Sequence, residues 1–481
     1  MRRTKIVATL GPACNSPEKI EQLILAGVDT VRLNFSHGSN DEHIQRAAYV
    51  REAAAKHSRH VAILGDLQGP KIRISRFKEG QIILKEGQGF ILDTNLDKES
   101  GTLERVGVDY PELANDCSSG DTLLLDDGRI ILEIESIKNN EIHCKVSVGG
   151  KLSNNKGINR KGGGLSADAL TEKDKKDISL ANIIGVDYLA VSFPRYASDI
   201  EHARKLLAQT GSIAGIIAKI ERAEAVSSLE TLHEIIDAAD GVMVARGDLG
   251  VEIGDAELIS VQKQIIENAR KRNKVVITAT QMMESMINSP MPTRAEVSDI
   301  ANAVLDGTDA VMLSAETAAG QYPIEAVETM VRIIMGTEKH PLVRNSSYRL
   351  NQTFSKIDET IGLAAMYAAN HLSGVKALVC LTETGATPLL MSRLSSGLPI
   401  FALSPNEETL RRVALYRGVK PLEFDTSRIY KSEINQRAVN SLVSFNEAKD
   451  GDLVVMTKGD YLNVHGGTNT MKIVRVGDNI L

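Results

Sequence analysis

In the run IIAKIER, Lys219 and Glu221 stand two residues apart, so on an extended strand both side chains point to one face. In VMVARGDLGVEI, a short apolar stretch gives way at once to Arg246, Gly247 and Asp248. A charge where a strand leaves the core is costly unless something pairs with it. Two carboxylates, Glu221 and Asp248, converging beside a lysine make a hard-oxygen pocket suited to Mg²⁺ (or Mn²⁺), which takes a few carboxylates, waters and ligand oxygens. No His or Cys cluster points to zinc. Arg32 and Arg73 add planar forks that match a phosphate. Thr280 and Gln281, Ser314 and Glu316, and Asn34 and Ser36 end other apolar runs in the same way, as does Asp66, followed by Lys71. Taken singly, each of these is an ordinary solvated strand end; repetition around a ring argues for a site. Metal, lysine and arginines together suit the stabilisation of negative charge on a phosphoryl group and on an enolate. Gly247 lets backbone come close to a ligand, and Arg246 reads as a structural ion pair.

The elements that must hold these residues follow from periodicity. Strand-like runs at 4–11, 30–36, 60–67, 188–193, 213–221, 241–248, 274–281 and 310–316 alternate with amphipathic helical patterns. Eight apolar strands, each leading to a helix, predict a closed (β/α)8 TIM barrel, with its chemistry at the carboxyl ends of the strands. After the third strand, hairpin signals such as DTLLLDDGRIILEIE predict an inserted small β-barrel over residues 70–167. It leaves from a strand's carboxyl end, so it is expected to form a lid over the barrel mouth. A polar stretch near 340–352 precedes a second alternation of helix and strand. The expected organisation is a barrel from 1–69 and 168–342, a lid from 70–167, and a C-terminal α/β regulatory domain from 343–481.

Length and composition bound the function. With 481 residues, two or three domains are expected. A net charge of −6 without a basic stripe argues against nucleic acid as a partner. Four scattered cysteines (Cys14, Cys117, Cys144, Cys380), no secretory leader pattern and no membrane-length apolar run predict a reduced, cytoplasmic protein with no membrane partner.

The runs VATLGPA, VRLNFSHG, GDLQGPKIR, IIAKIERAEAV, VMVARGDLGVEI, TATQMMESM and DAVMLSAETAAGQYP resemble the successive signatures of the pyruvate kinase family. That resemblance implies transfer of the phosphoryl group of phosphoenolpyruvate to ADP, giving pyruvate and ATP. It implies Glu221 and Asp248 as ligands of Mg²⁺, and Lys219 as the cation that stabilises the phosphoryl group in transit. It implies Arg32, Gly247 and Thr280 as substrate contacts, Arg73 as a phosphate contact, and Ser314 with Glu316 as the region of proton relay. Asn34, Phe35, Ser36 and His37, with Arg73 and with Lys156 from the lid, match nucleotide contacts. A homotetramer and a phosphorylated activator are implied as well.

Two departures from the family pattern bear on ions and effectors. Many members need K⁺ and have GPEIR where this chain has Lys71 in GPKIR. Asn34, Ser36 and Asp66, which resemble the monovalent-cation site, remain, and Lys71 is the proposed cation substitute, so K⁺ is expected not to be required. In CLTETGATPLL, Thr382, Thr384, Gly385 and Thr387 form a candidate phosphate loop before a helix. Ala386 stands where many members have a cation, and Asp460 adds an acid, which predicts a sugar monophosphate or AMP rather than a bisphosphate. Ala319 replaces a lysine found near the nucleotide in many members. RKGGGLS at 160–166 lacks the P-loop ending and reads as a flexible hinge. Two other readings stay open on these residues: a Mg²⁺-dependent lyase acting on a pyruvate enolate, and a catalytically silent sensor.

Overall fold

The structure, a computed structural model, describes residues 1–343, 353–460 and 467–480. Most of the polar connection near 340–352, and 461–466 within KGDYLNVHGG, therefore lie outside the described residues.

Eight strands form the catalytic body: β1 (Lys5–Leu10), β2 (Thr30–Asn34), β3 (Ala62–Asp66), β4 (Tyr188–Val191), β5 (Gly215–Ile220), β6 (Gly241–Ala245), β7 (Val275–Ala279) and β8 (Ala310–Leu313). They close into a barrel in the order β1-β8-β7-β6-β5-β4-β3-β2. The pairing is parallel throughout, as in Asn34 opposite Asp66 and Lys219 opposite Met243. Every residue of β1 and of β3 to β8 is buried, as expected of strands with packed side chains inside and helices outside. Only β2 carries half-buried positions, Arg32 and Asn34. The helices begin and end where local chemistry dictates. Thr171 and Asp174 form a capping box on Glu172–Ile184, and Gly185 ends that helix in the left-handed region at φ 67.

The insertion is two sheets around one core rather than the single small barrel expected from its hairpins. Six strands run in the spatial order Ile158–Arg160, Thr122–Leu125, Ile130–Lys138, Glu141–Val148, Gly89–Asp93, Arg105–Gly107. Gly150–Ser153 pairs separately with Gln81–Leu84. The break falls at Gly149 and Gly150. Gly150 has φ 154, and a Cβ on Gly149 would lie 2.4 Å from the Leu84 carbonyl, so only glycine lets the chain pass from one sheet to the other. Leu92, Leu123, Leu132 and Val146 fill the core between them.

The C-terminal sheet contains β9 (Val375–Leu381), β10 (Ile400–Ser404), β11 (Val419–Glu423), β12 (Leu453–Gly459) and β13 (Thr468–Arg475), in the order β11-β10-β9-β12-β13. Only β13 runs antiparallel to its neighbour. This unit closes the barrel's floor. Val413, Leu415 and Tyr416 belong to the same packed cluster as Val7, Leu64, Ile217 and Met243 inside the barrel. Beside them Arg393 forks onto Asp309, both 1% exposed. Asp309 also accepts the amides of Val276 (2.9 Å) and Arg417 (3.0 Å), so this buried charge is fully paired. Among the described residues, no helix is long and apolar enough to cross a membrane.

Candidate active site

Lys219, at the end of β5, is the centre of the polar cluster at the barrel mouth. Its ammonium lies 3.0 Å from Glu221 and 3.3 Å from Asp66, and donates to the Ser192 hydroxyl at 2.7 Å. Burial alone would depress its pKa, but Asp66 and Glu221 together hold it above its ordinary value. Burial pushes Asp66 the other way, and Lys219 with Arg32 more than offsets it, keeping the carboxyl below its usual range. Arg32 Nε reaches Asp66 at 2.5 Å and Nη1 reaches Thr9 Oγ1 at 3.2 Å, which orients the guanidinium across the mouth.

Glu221 is fixed from behind, its Oε2 accepting the Phe193 amide at 2.8 Å. Burial raises its pKa; Lys219 opposes that, while Asp248 and Asp66 add to it. The neighbouring like charge is the observation that fits a divalent cation, since a metal between Glu221 and Asp248 would relieve it. No three His, Cys, Asp or Glu side chains form a metal cage among the described residues. Two carboxylates with further oxygens from substrate and water is how Mg²⁺ is usually held. Asp248 opens the helix Arg246–Ile253 and bonds the Lys71 ammonium at 2.9 Å. Lys71 was expected to stand in for a monovalent cation at the remnant site of Asn34, Ser36 and Asp66. Asp66 instead takes its compensation from Arg32 and Lys219, and the lysine neutralises the next carboxylate across the mouth.

Arg246 is the expected ion pair. It grips both oxygens of Asp299, at 2.7 and 2.6 Å, and donates to the Thr280 carbonyl at 2.6 Å. That holds the β6 and β7 ends together. The Gly247 amide meets Thr280 Oγ1 at 2.8 Å. Thr280 and Gln281 take φ 67 and 53, a conformation that costs free energy for residues with a Cβ and gathers at functional sites. Glu316 accepts two amides, Ser314 at 2.7 Å and Met283 at 3.1 Å, and so braces the loops after β7 and β8. The Ser314 hydroxyl is buried without a hydrogen-bond partner.

Several predicted residues are engaged elsewhere. Arg73 donates to the Asn155 carbonyl (3.3 Å), and Lys156 pairs with Asp126 (2.6 Å), both within the lid. The Phe35 ring is buried under Gly65 and meets His43 edge-on, so it serves the barrel wall. Asn34 accepts the Ser36 amide at 3.1 Å, and His37 is exposed. In the C-terminal loop, Thr382 accepts the Gly385 amide at 3.0 Å, and Gly385 takes φ 82 before Ala386–Ser392. Thr387 is buried against Thr468 (2.7 Å), while Thr384 is half-buried. Asp460 accepts from Asn469 and Thr470.

Sequence reasoning missed Ser192 and the Phe193 amide, which anchor Lys219 and Glu221. The signal is Ser192 directly after β4, a polar strand end of the same kind as the others.

Residues 1–327 match the family model described as "Pyruvate kinase, barrel domain", and residues 359–474 match "Pyruvate kinase, alpha/beta domain". The chain is 57% identical to pyruvate kinase II of Salmonella typhimurium, over 99% of both chains. It is also 57% identical to pyruvate kinase of Haemophilus influenzae, over 95% of this chain and 96% of that one. A solved pyruvate kinase from Cryptosporidium parvum superposes with a TM-score of 0.91 at 33% identity, covering 99% of this chain and 96% of that one. With the barrel, the inserted sheets and the C-terminal unit all matched, the chain belongs to the pyruvate kinase family.

Proposed function

We propose that the barrel mouth moves the phosphoryl group of phosphoenolpyruvate to ADP with Glu221 and Asp248 as the protein's ligands to Mg²⁺ (or Mn²⁺). The enzyme is a phosphotransferase, a pyruvate kinase of glycolysis. When bound, the metal would offset the carboxylate pair and draw charge from the phosphoryl oxygens. Lys219 stabilises the charge that develops on the bridging oxygen and then on the enolate. Arg32 and Arg73 fork onto the phosphate, and the Gly247 amide with Thr280 takes the substrate carboxylate. Ser314, held by Glu316, lies in the region that hands on the proton, with Thr280 near the carbon that receives it. The lid, 70–167, closes Arg73 and Lys156 toward a nucleotide lying along Asn34, Ser36 and His37, with the buried Phe35 ring as their support, and excludes water that would take the phosphoryl group.

The observation that carries this reading is the charged Lys219, clasped by Asp66 and Glu221 beside a second carboxylate at the mouth. Pyruvate formation measured with and without ADP tests it. Pyruvate is expected only when ADP and Mg²⁺ are both present; equal release without ADP would mean that the phosphoryl group goes to water, and would overturn the kinase reading.

Three further parts complete the proposal, the first two from the chain's own residues and the oligomer from the family it belongs to. Lys71 supplies a fixed positive charge at the mouth, so K⁺ is not required. The loop 382–387 takes a sugar monophosphate or AMP as activator. The working form is a homotetramer, with a barrel from 1–69 and 168–342 and a regulatory unit from 343–481.

A further inference from the structure

Behind the two metal carboxylates is a buried contact that the reaction leaves unused. Glu252 lies one helical turn after Asp248 and is 1% exposed. Its Oε2 accepts the Ala223 amide at 2.8 Å, and its Oε1 accepts from Asn159 Nδ2 at 3.3 Å and faces Arg222 Nε at 3.4 Å. The backbone carbonyl of Glu252 accepts the Gly162 amide at 2.9 Å. Three segments therefore meet on this one residue: the chain just beyond Glu221, the helix carrying Asp248, and the strand Ile158–Arg160 by which the lid returns to the barrel.

Arg222 extends the contact, donating to the Leu165 carbonyl at 3.1 Å and pairing with Glu224 at 3.1 Å. Glu224 in turn accepts the Gly164 amide at 2.5 Å. A Cβ on Gly163 would fall 2.5 Å from Glu224 Oε2, so the return crossing fits closely against these acids. The flexible hinge expected of RKGGGLS is thus tied to the barrel at the Gly162 and Gly164 amides. An apolar cluster would pack this space at lower desolvation cost. Directional bonds hold one segment at a set distance and angle from another.

We propose that Glu252 is a positioning residue that sets the separation of Glu221 and Asp248 and links it to the seating of the lid. The proposal rests on reading Glu221 and Asp248 as the metal carboxylates. Free Mn²⁺ measured by electron paramagnetic resonance, titrated with full-length enzyme at pH 8, tests it without substrate. At that pH the Glu252 carboxyl, pushed up to about 7 by burial, is ionised. Glu252→Gln is expected to weaken Mn²⁺ binding about tenfold, the scale of lost outer-sphere partners. Asn159→Ala, which cuts only the lid arm, is expected to weaken it about threefold. Wild-type Mn²⁺ affinity in folded Glu252→Gln, even with a lowered melting temperature, would overturn the proposal. If that variant does not fold, unchanged affinity in Asn159→Ala overturns it instead. Asp248→Asn separates the two claims: undiminished Mn²⁺ binding there means the metal reading itself has failed, and the positioning role falls with it.

Discussion

Lys219 donates to Ser192 and pairs with the carboxylates of Asp66 and Glu221, so its ammonium is aimed by the protein itself. Ser192 in turn donates to the Leu67 carbonyl at 2.7 Å, which leaves its lone pairs facing the lysine. Removing that hydroxyl frees one anchor without removing charge. Ser192→Ala is therefore expected to lower kcat about tenfold, with the KM for phosphoenolpyruvate within about twofold, because aim matters more in the transition state than in the ground state. Unchanged kcat in steady-state kinetics would leave Ser192 a packing residue. Lys219, Glu221 and Asp248 were legible in the sequence because a charge following an apolar strand is conspicuous. A serine in that place is ordinary, and the Phe193 amide that holds Glu221 is backbone, which a side-chain pattern does not reveal.

At the scale of elements, eight apolar runs ended by polar residues were enough to place the barrel and its mouth. The inserted segment was read correctly as hairpins, but two glycines that let the chain change sheets made it two sheets rather than one barrel. Partner choice was harder to read than position. Lys71 sits at the exit to the lid as expected, yet its ammonium reaches Asp248, because Asp66 is already compensated by Arg32. With Asp66 already paired by Arg32 and Lys219, the negative charge that a monovalent ion would offset at the remnant site is met by the chain itself. Turnover in potassium-free and sodium-free organic buffer is expected within about twofold of that with KCl, and Lys71→Glu should create potassium dependence. Strong activation of the wild type by KCl would refute this.

At the scale of the molecule, the C-terminal unit is joined to the catalytic core rather than appended to it. The candidate effector loop touches the elements that close the barrel floor. Glu383 accepts from Asn406 and Thr409 on the helix Glu407–Val413 and its cap, and a Cβ on Gly385 would meet Val413 at 2.6 Å. Tyr188 at the foot of β4 donates to the Arg412 carbonyl at 2.8 Å. An effector at 382–387 would thus press on a segment that packs under the site. Thr384→Glu is expected to abolish activation by sugar or nucleotide monophosphates while leaving basal turnover at saturating substrate, since an effector contributes only a coupling free energy. Equal activation of variant and wild type would relocate the effector site. The account stands most directly on Lys219. In Lys219→Met, kcat measured beside phosphoenolpyruvate binding should fall about a hundredfold or more while binding weakens far less. Near-normal turnover in the folded variant would contradict it.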